Sequence, residues 1–216
     1  AMPIVDEIEA AHGPEETIFI SEEEALDMMT QRSLVIVVDT HSPDFVESKE
    51  LLNEAQRVVV IDHHRMMVKH INNAVVFYHE PYASSASEMV SELVQYIGNT
   101  VLSKEEADAL LAGIMLDTKN FVLKSGVRTF EAAAYLRRRG ADTVVVKKMF
   151  ASNIDTYKEK YSLISTAEVY NGCAIACTDE STPNVRVAAA QAADELLSIQ
   201  GVNASFVLFK TGKTVN

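Results

Sequence analysis

The stretch Val58-Val59-Val60-Ile61-Asp62-His63-His64-Arg65 decides the fold. Four β-branched residues in a row make a strand buried on both faces, as in a parallel sheet. The run stops abruptly at an acid, two imidazoles and a guanidinium. In open parallel sheets, ligands bind just beyond the carboxyl ends of the strands. An Asp-His-His cluster at that place suits a divalent metal, because carboxylate and imidazole are ligands for manganese, zinc or iron.

The same pattern occurs twice more. Val35-Ile36-Val37-Val38 runs into Asp39-Thr40-His41, and the apolar stretch 110–116 runs into Asp117-Thr118. A parallel sheet and its adjoining helix would bring the three acidic ends together. Carboxylates gathered that closely repel one another unless a cation lies among them, so a divalent metal site is the economical reading. His41 reads either as a substrate contact or as a solvent-facing neighbour. His12, His70 and His79 have no acid at ligand spacing and read as surface residues. Ser84, Ser85 and Ser87 stand at a helix start, where they serve as an anion site or as simple caps.

Further out, short β-branched runs alternate with helical segments, the pattern of an α/β fold with a largely parallel sheet. Strands are expected at 34–38, 58–61 and 74–78. Ser21-Glu22-Glu23-Glu24, Ser85-Ala86-Ser87-Glu88 and Ser103-Lys104-Glu105-Glu106 each fit a capping box ahead of apolar residues at helical spacing. Thr129 starts a helix that ends at Arg137-Arg138-Arg139 and Gly140, cations being favoured in a last turn. From residue 153 a second α/β unit begins, with a helix at 154–170, a strand at 173–178, a helix at 187–199 and a strand at 204–209. The expected domains are 1–152 and 153–216.

The chain has 216 residues, 48% of them apolar, enough for one large or two small cores. Its net charge of −12 is a poor match to long nucleic acid, which is held by lysine and arginine. No apolar run nears the ~18–20 residues of a membrane-crossing helix, and the N-terminus lacks the pattern of a signal peptide. A cytoplasmic chain is the plain reading. Cys173 and Cys177, four apart on one strand, would be about 13 Å from each other at ~3.3 Å per residue, too far for a disulfide; they read as two core thiols. Gly212-Lys213-Thr214 lacks the upstream glycine of a phosphate-binding loop.

With these residues in view, the chain resembles the DHH superfamily. Asp62-His63-His64 matches the motif that names it. Asp39 matches the preceding single-aspartate motif, and Asp117, in Gly113-Ile114-Met115-Leu116-Asp117-Thr118, matches the later one. The stretches 80–88 and 128–134 also resemble the family. The details are similar to the membrane-tethered bacterial cyclic-di-AMP phosphodiesterases, over roughly residues 19–215.

The resemblance implies a Rossmann-like DHH domain followed by an α/β DHHA1 domain. It implies that Asp39 bridges two Mn2+ ions, that His63 and Asp117 ligate one of them, that Asp62 supports this shell, and that His64 faces the substrate phosphate. Arg65, Ser84, Ser85 and Arg128 are the further candidate substrate contacts, with surface salt bridges the alternative for the two arginines and capping the alternative for the two serines. The implied chemistry is two-metal hydrolysis of cyclic-di-AMP to linear pApA. The rivals are hydrolysis of short oligonucleotides, phosphoadenosine phosphate or pyrophosphate, and a non-catalytic dimerisation or nucleotide-sensing module. A cytoplasmic homodimer is expected, with the membrane reached only through segments outside this chain. Nothing in residues 1–38 matches the family's first motif, and its glycine-rich DHHA1 segment is not matched either. The expectation is therefore a chain cut short at both ends, an incomplete DHHA1 domain, and one Mn2+ or none bound by the chain alone.

Overall fold

The computed structural model describes residues 2–12, 17–97, 102–151, 153–179, 182–211 and 214–216; Gly212 and Lys213 lie outside them. The chain divides into two units, Ala1–Phe150 and Ala151–Asn216. The first contains α1 (Met2–His12), α2 (Glu22–Met28), β1 (Val35–Val38), α3 (Lys49–Glu54), β2 (Val58–Asp62), β3 (Val76–His79), α4 (Ala86–Leu93), α5 (Lys104–Asp117), α6 (Val127–Arg138) and α7 (Thr143–Met149).

The strands form a parallel sheet in the order β1-β2-β3, with Val35 opposite Val58 and Val59 opposite Val76. β2 is the middle strand, which is why its side chains point into protein on both sides. Val58 and Val60 pack with Leu52 and Ile71, while Ile61 packs with Ala83 and Met89. β1 departs from the doubly buried strand expected of it. It is an edge strand, and Ile36 and Val38 on its alternate positions are exposed.

The helices build the larger core of this unit. Ala107, Leu111, Ile114 and Met115 of α5 meet Ala132, Tyr135 and Leu136 of α6 and Val146 of α7. Ser21 and Ser103 close capping boxes as expected. Ser85 caps α4 through Glu88 N–H, but the Glu88 carboxylate turns elsewhere. α5 approaches α4 closely at Gly113, where a Cβ would overlap Ser87 Oγ and stand 2.9 Å from Ser87 Cβ. Gly113→Ala is expected to cost about 1 kcal/mol by urea denaturation. The overpacking of ~1–3 kcal/mol outweighs the ~1 kcal/mol that alanine gains in a helix. An unchanged or raised midpoint would refute that close packing.

The second unit contains α8 (Ile154–Ser165), β4 (Glu168–Tyr170), β5 (Cys173–Thr178), α9 (Val185–Leu196), β6 (Ala204–Thr211) and β7 (Thr214–Val215). β5 and β6 are parallel, while β4 and β7 pair antiparallel on the outside. The helix expected over 154–170 stops at Ser165. Asn171 and Gly172, both with positive φ (49° and 77°), make a tight turn that pairs Tyr170 with Cys173 and turns 168–170 into a strand. α9 packs Ala188, Ala189 and Ala192 with Leu163 and Phe209, and Leu196 with buried Ala174 and Ala176. The strand's period of two then sends Cys173 and Cys177 to the other face. Both thiols are free, and Cys177 is exposed rather than a core residue. Among the described residues no helix is long and apolar enough to cross a membrane.

Candidate metal centre

Asp39 and Asp62 stand at the carboxyl ends of neighbouring parallel strands. Asp39 N–H donates to Ile61 O (3.0 Å), carrying the ladder one residue past β1. Asp39 itself has φ 65°, a left-handed conformation that costs most residues ~1–2 kcal/mol and aspartate less. The chain thus turns sharply at Asp39 while its carboxylate stays at the sheet's edge.

Asp117 arrives from α5. Its direction is fixed by the turn that ends this helix: Lys119, Asn120 and Phe121 are all left-handed, with φ of 48°, 58° and 65°. Buried Thr118 holds this turn together. Its hydroxyl donates to Ile114 O (2.7 Å) and accepts from Phe121 N–H (2.9 Å). Strain of this kind persists only where the surroundings enforce it, and it collects at functional sites.

Two of the three acidic ends converge on His63. Its Nε2 lies 3.3 Å from Asp39 Oδ1 and 3.5 Å from Asp117 Oδ2. Two ligand atoms each ~2.1 Å from one cation stand about 3.0–3.4 Å apart, so this spacing fits a shared ion. The other nitrogen, Nδ1, donates to Ala83 O (3.3 Å). That bond leaves Nε2 free to ligate, the arrangement that metal-binding histidines use. Hydrogen bonding to Asp39 lifts His63 above its ordinary value, against burial, and Asp117 adds to the effect. Burial, then the Asp39 charge, lifts Asp117 above the usual carboxylate range.

Asp62 plays a different part. It is fully buried, which pushes its carboxyl up, but hydrogen bonds from His64 and His41 outweigh burial and hold it below its ordinary value. His64 gives Asp62 Oδ1 both Nδ1–H (2.8 Å) and its backbone N–H (3.2 Å). His41 bonds Oδ2 through Nδ1. Among the described residues the groups compact enough for an ion are Asp39, His63 and His64, without Asp117, and a second one of His41, Asp62 and His79. Its nitrogens are already engaged, since His79 Nε2 donates to His64 O (2.6 Å). It is a hydrogen-bonded support.

The other candidate residues divide between groove and interior. His41, expected at substrate or in solvent, is 1% exposed, with both ring nitrogens bonded to protein. His79, expected on the surface, is half-buried behind His64. Arg65 lines an open groove of about 1,210 Å3 together with Asp39, His64, Phe45 and edge strand β1. Ser84 and Ser85, expected against substrate, are buried: Ser84 Oγ donates to Glu88 (2.5 Å) and Ser85 Oγ caps α4. Arg128 has its guanidinium on Glu92, Nε to Oε1 at 2.8 Å and Nη2 to Oε2 at 2.7 Å, which leaves its fork committed to protein.

Residues 5–114 match the model of the DHH family, N-terminal domain. The chain belongs to the DHH family. It is 48% identical over 85% of its length to "Cyclic-di-AMP phosphodiesterase PdeA" of Listeria monocytogenes, of which it covers 28%. It is 49% identical over 89% of its length to "Cyclic-di-AMP phosphodiesterase GdpP" of Geobacillus thermodenitrificans, covering 30% of that protein. The chain thus spans under a third of these DHH relatives. Among solved structures, an exopolyphosphatase-related protein from Bacteroides fragilis superposes with a TM-score of 0.77 at 19% identity, over 90% of this chain and 60% of that one. That likeness bears on the fold alone.

Proposed function

We propose that this DHH chain carries the metal centre of a manganese-dependent phosphodiesterase that opens cyclic-di-AMP to linear pApA. One observation carries the metal part of the reading: His63 Nε2, freed by the Nδ1 bond to Ala83, faces Asp39 and Asp117 at 3.3 and 3.5 Å. The donor set of carboxylate oxygens and imidazole suits manganese. The substrate is supported by relatives of that name at 48% and 49% identity.

In this reading Asp39, His63 and Asp117 hold the cation, and Asp39, the most exposed of them, is placed to reach a second. A divalent ion bound there supplies Lewis acidity, activating water near neutral pH and stabilising charge on the phosphoryl oxygens. Asp62 keeps His64 oriented. His64 Nε2 meets a phosphate oxygen, donating when the ring is protonated. Arg65 adds a cation on the groove wall. Ser84, Ser85 and Arg128 act through the fold rather than on substrate. The reading carries with it the cytoplasmic domain of a membrane-tethered parent that the resemblance implies, and the expected homodimer.

The test is chromatography of cyclic-di-AMP after incubation with Mn2+, using this chain and a chain extended at both ends. A panel of short oligonucleotide, phosphoadenosine phosphate and pyrophosphate runs beside it. Formation of pApA, abolished by a chelator, is the expected result. Hydrolysis confined to another member of the panel would reassign the substrate. Binding of cyclic-di-AMP without hydrolysis by either chain would make this a nucleotide-sensing module.

A further inference from the structure

We propose that His41 is a positioning residue that fixes, through Asp62, which ring nitrogen His64 turns outward. Each step rests on the direction of a hydrogen bond. The Met67 backbone N–H can only donate, and it lies 2.9 Å from His41 Nε2. Nε2 is therefore bare, and the proton of the neutral His41 ring sits on Nδ1. That Nδ1–H donates to Asp62 Oδ2. Asp62 is thereby engaged as an acceptor on one oxygen, and its other oxygen accepts Nδ1–H and N–H of His64 at 2.8 and 3.2 Å. His64 is left with Nε2 as its outward atom, on a ring that is 55% exposed. The Met67 amide fixes the direction of the His41–Asp62 bond, and that bond holds the carboxylate turned toward His64.

The same residue also holds the segment that carries His64. His41 O accepts from Ile71 N–H at 2.9 Å. Its ring packs edge-on against His79 at 5.4 Å, and His79 Nε2 donates to His64 O at 2.6 Å. Residues 64–71 are therefore closed over His41, which explains why a histidine two positions from an exposed aspartate is itself 1% exposed. That Nε2 of His64 meets a phosphate rests on the function proposed above; the order of donors does not.

Phenylalanine at position 41 fills the space but leaves Asp62 Oδ2 facing a ring with no donor. Turning the carboxylate away from His64 is the simplest repair, and it frees His64 Nδ1. Asparagine can return an N–H near the place of Nδ1, whereas the longer glutamine carries its amide toward Met67 instead. The experiment reads the His64 tautomer by long-range 1H–15N NMR on the metal-free chain at alkaline pH, in wild type, His41→Phe, His41→Asn and His41→Gln. The Nδ1–H form is expected in wild type and the Asn variant, and a mixture or the Nε2–H form in the Phe and Gln variants. In the hydrolysing protein, kcat should fall roughly 10–100-fold in Phe and Gln, with KM within about twofold and with Asn recovering most of the loss. An unchanged His64 tautomer in Phe and Gln, or equal losses in Asn and Gln, would overturn the proposal. If the Phe variant does not fold, the Asn and Gln pair decides. Since the tautomer is read without metal or substrate, a wrong substrate assignment leaves this test intact.

Discussion

Asp39→Asn should bind Mn2+ at least tenfold more weakly than wild type, and the hydrolysing protein should turn over at least ~10^3-fold more slowly, about 4 kcal/mol of lost transition-state stabilisation. Asp39 Oδ1 lies between two imidazoles, 3.3 Å from His63 Nε2 and 3.8 Å from His64 Nδ1. Asparagine keeps the shape and removes the anion. The same change should not harm the fold. Asparagine tolerates the left-handed conformation of residue 39 at least as well as aspartate. Removing the charge also relieves its repulsion of Asp117, whose carboxyl Asp39 helps to push up. Stability of the metal-free chain should therefore stay within a few tenths of a kcal/mol of wild type, the scale of exposed charge pairs, because the lost attraction between Asp39 and His63 offsets the relief of Asp117. Calorimetric Mn2+ titration and thermal denaturation of one preparation check both expectations. Undiminished Mn2+ affinity would remove Asp39 from the ligand set. A large fall in stability would mean that the residue holds the backbone turn and that its loss of function is indirect.

This separation of function from stability also marks what could be read before the fold was known. The acids at the ends of the runs 35–38, 58–61 and 110–116 were legible because a buried strand or helix face has a strong local signature, and a polar residue ending it must lie at an edge. The parallel sheet was legible for the same reason. Burial on the far side of the site was not. Nothing local says that His41 rather than His64 turns inward, because the choice depends on Met67 N–H and Asp62 arriving from 21 or more residues away. Ser85-Ala86-Ser87-Glu88 reads as a capping box, yet the Glu88 carboxylate is drawn to Thr129, 41 residues on, by a partner that only packing supplies. The strand at 168–170 had a local signal, the Asn171-Gly172 pair, which outweighs the helical pattern running up to it. The exposed face of β1 is a matter of strand order, which the apolar run at 35–38 does not encode.

Glu88→Ala is the second change with a large expected effect, and it acts on the fold first. Glu88 is 1% exposed, and its Oε2 accepts from Ser84 N–H (3.3 Å), Ser84 Oγ (2.5 Å) and Thr129 Oγ1 (2.6 Å). These bonds join α4, α6 and the turn before α4. Alanine leaves these three donors buried without their acceptor. At ~1–3 kcal/mol for each unsatisfied group, with some recovered by reorientation of the hydroxyls, the net cost is about 3 kcal/mol. That lowers the melting temperature of this unit by roughly 6–12 °C. Glutamine keeps an acceptor and should cost about 1 kcal/mol. The effect reaches the metal through one covalent step. Ser84 follows Ala83, and Ala83 O is what orients His63. Once Ser84 loses its anchor, the His63 ring is less firmly aimed at Asp39 and Asp117, and Mn2+ affinity should fall about tenfold, the scale of losing an outer support of a metal ligand. Amide resonances of residues 83–91 followed through urea denaturation report the first effect, and Mn2+ titration of the folded variant well below its midpoint reports the second. A midpoint change equivalent to under ~1 kcal/mol would mean that the donors find other partners. Normal Mn2+ affinity in a clearly destabilised Ala variant would confine Glu88 to the packing of α4 against α6 and leave the placement of His63 to the sheet alone.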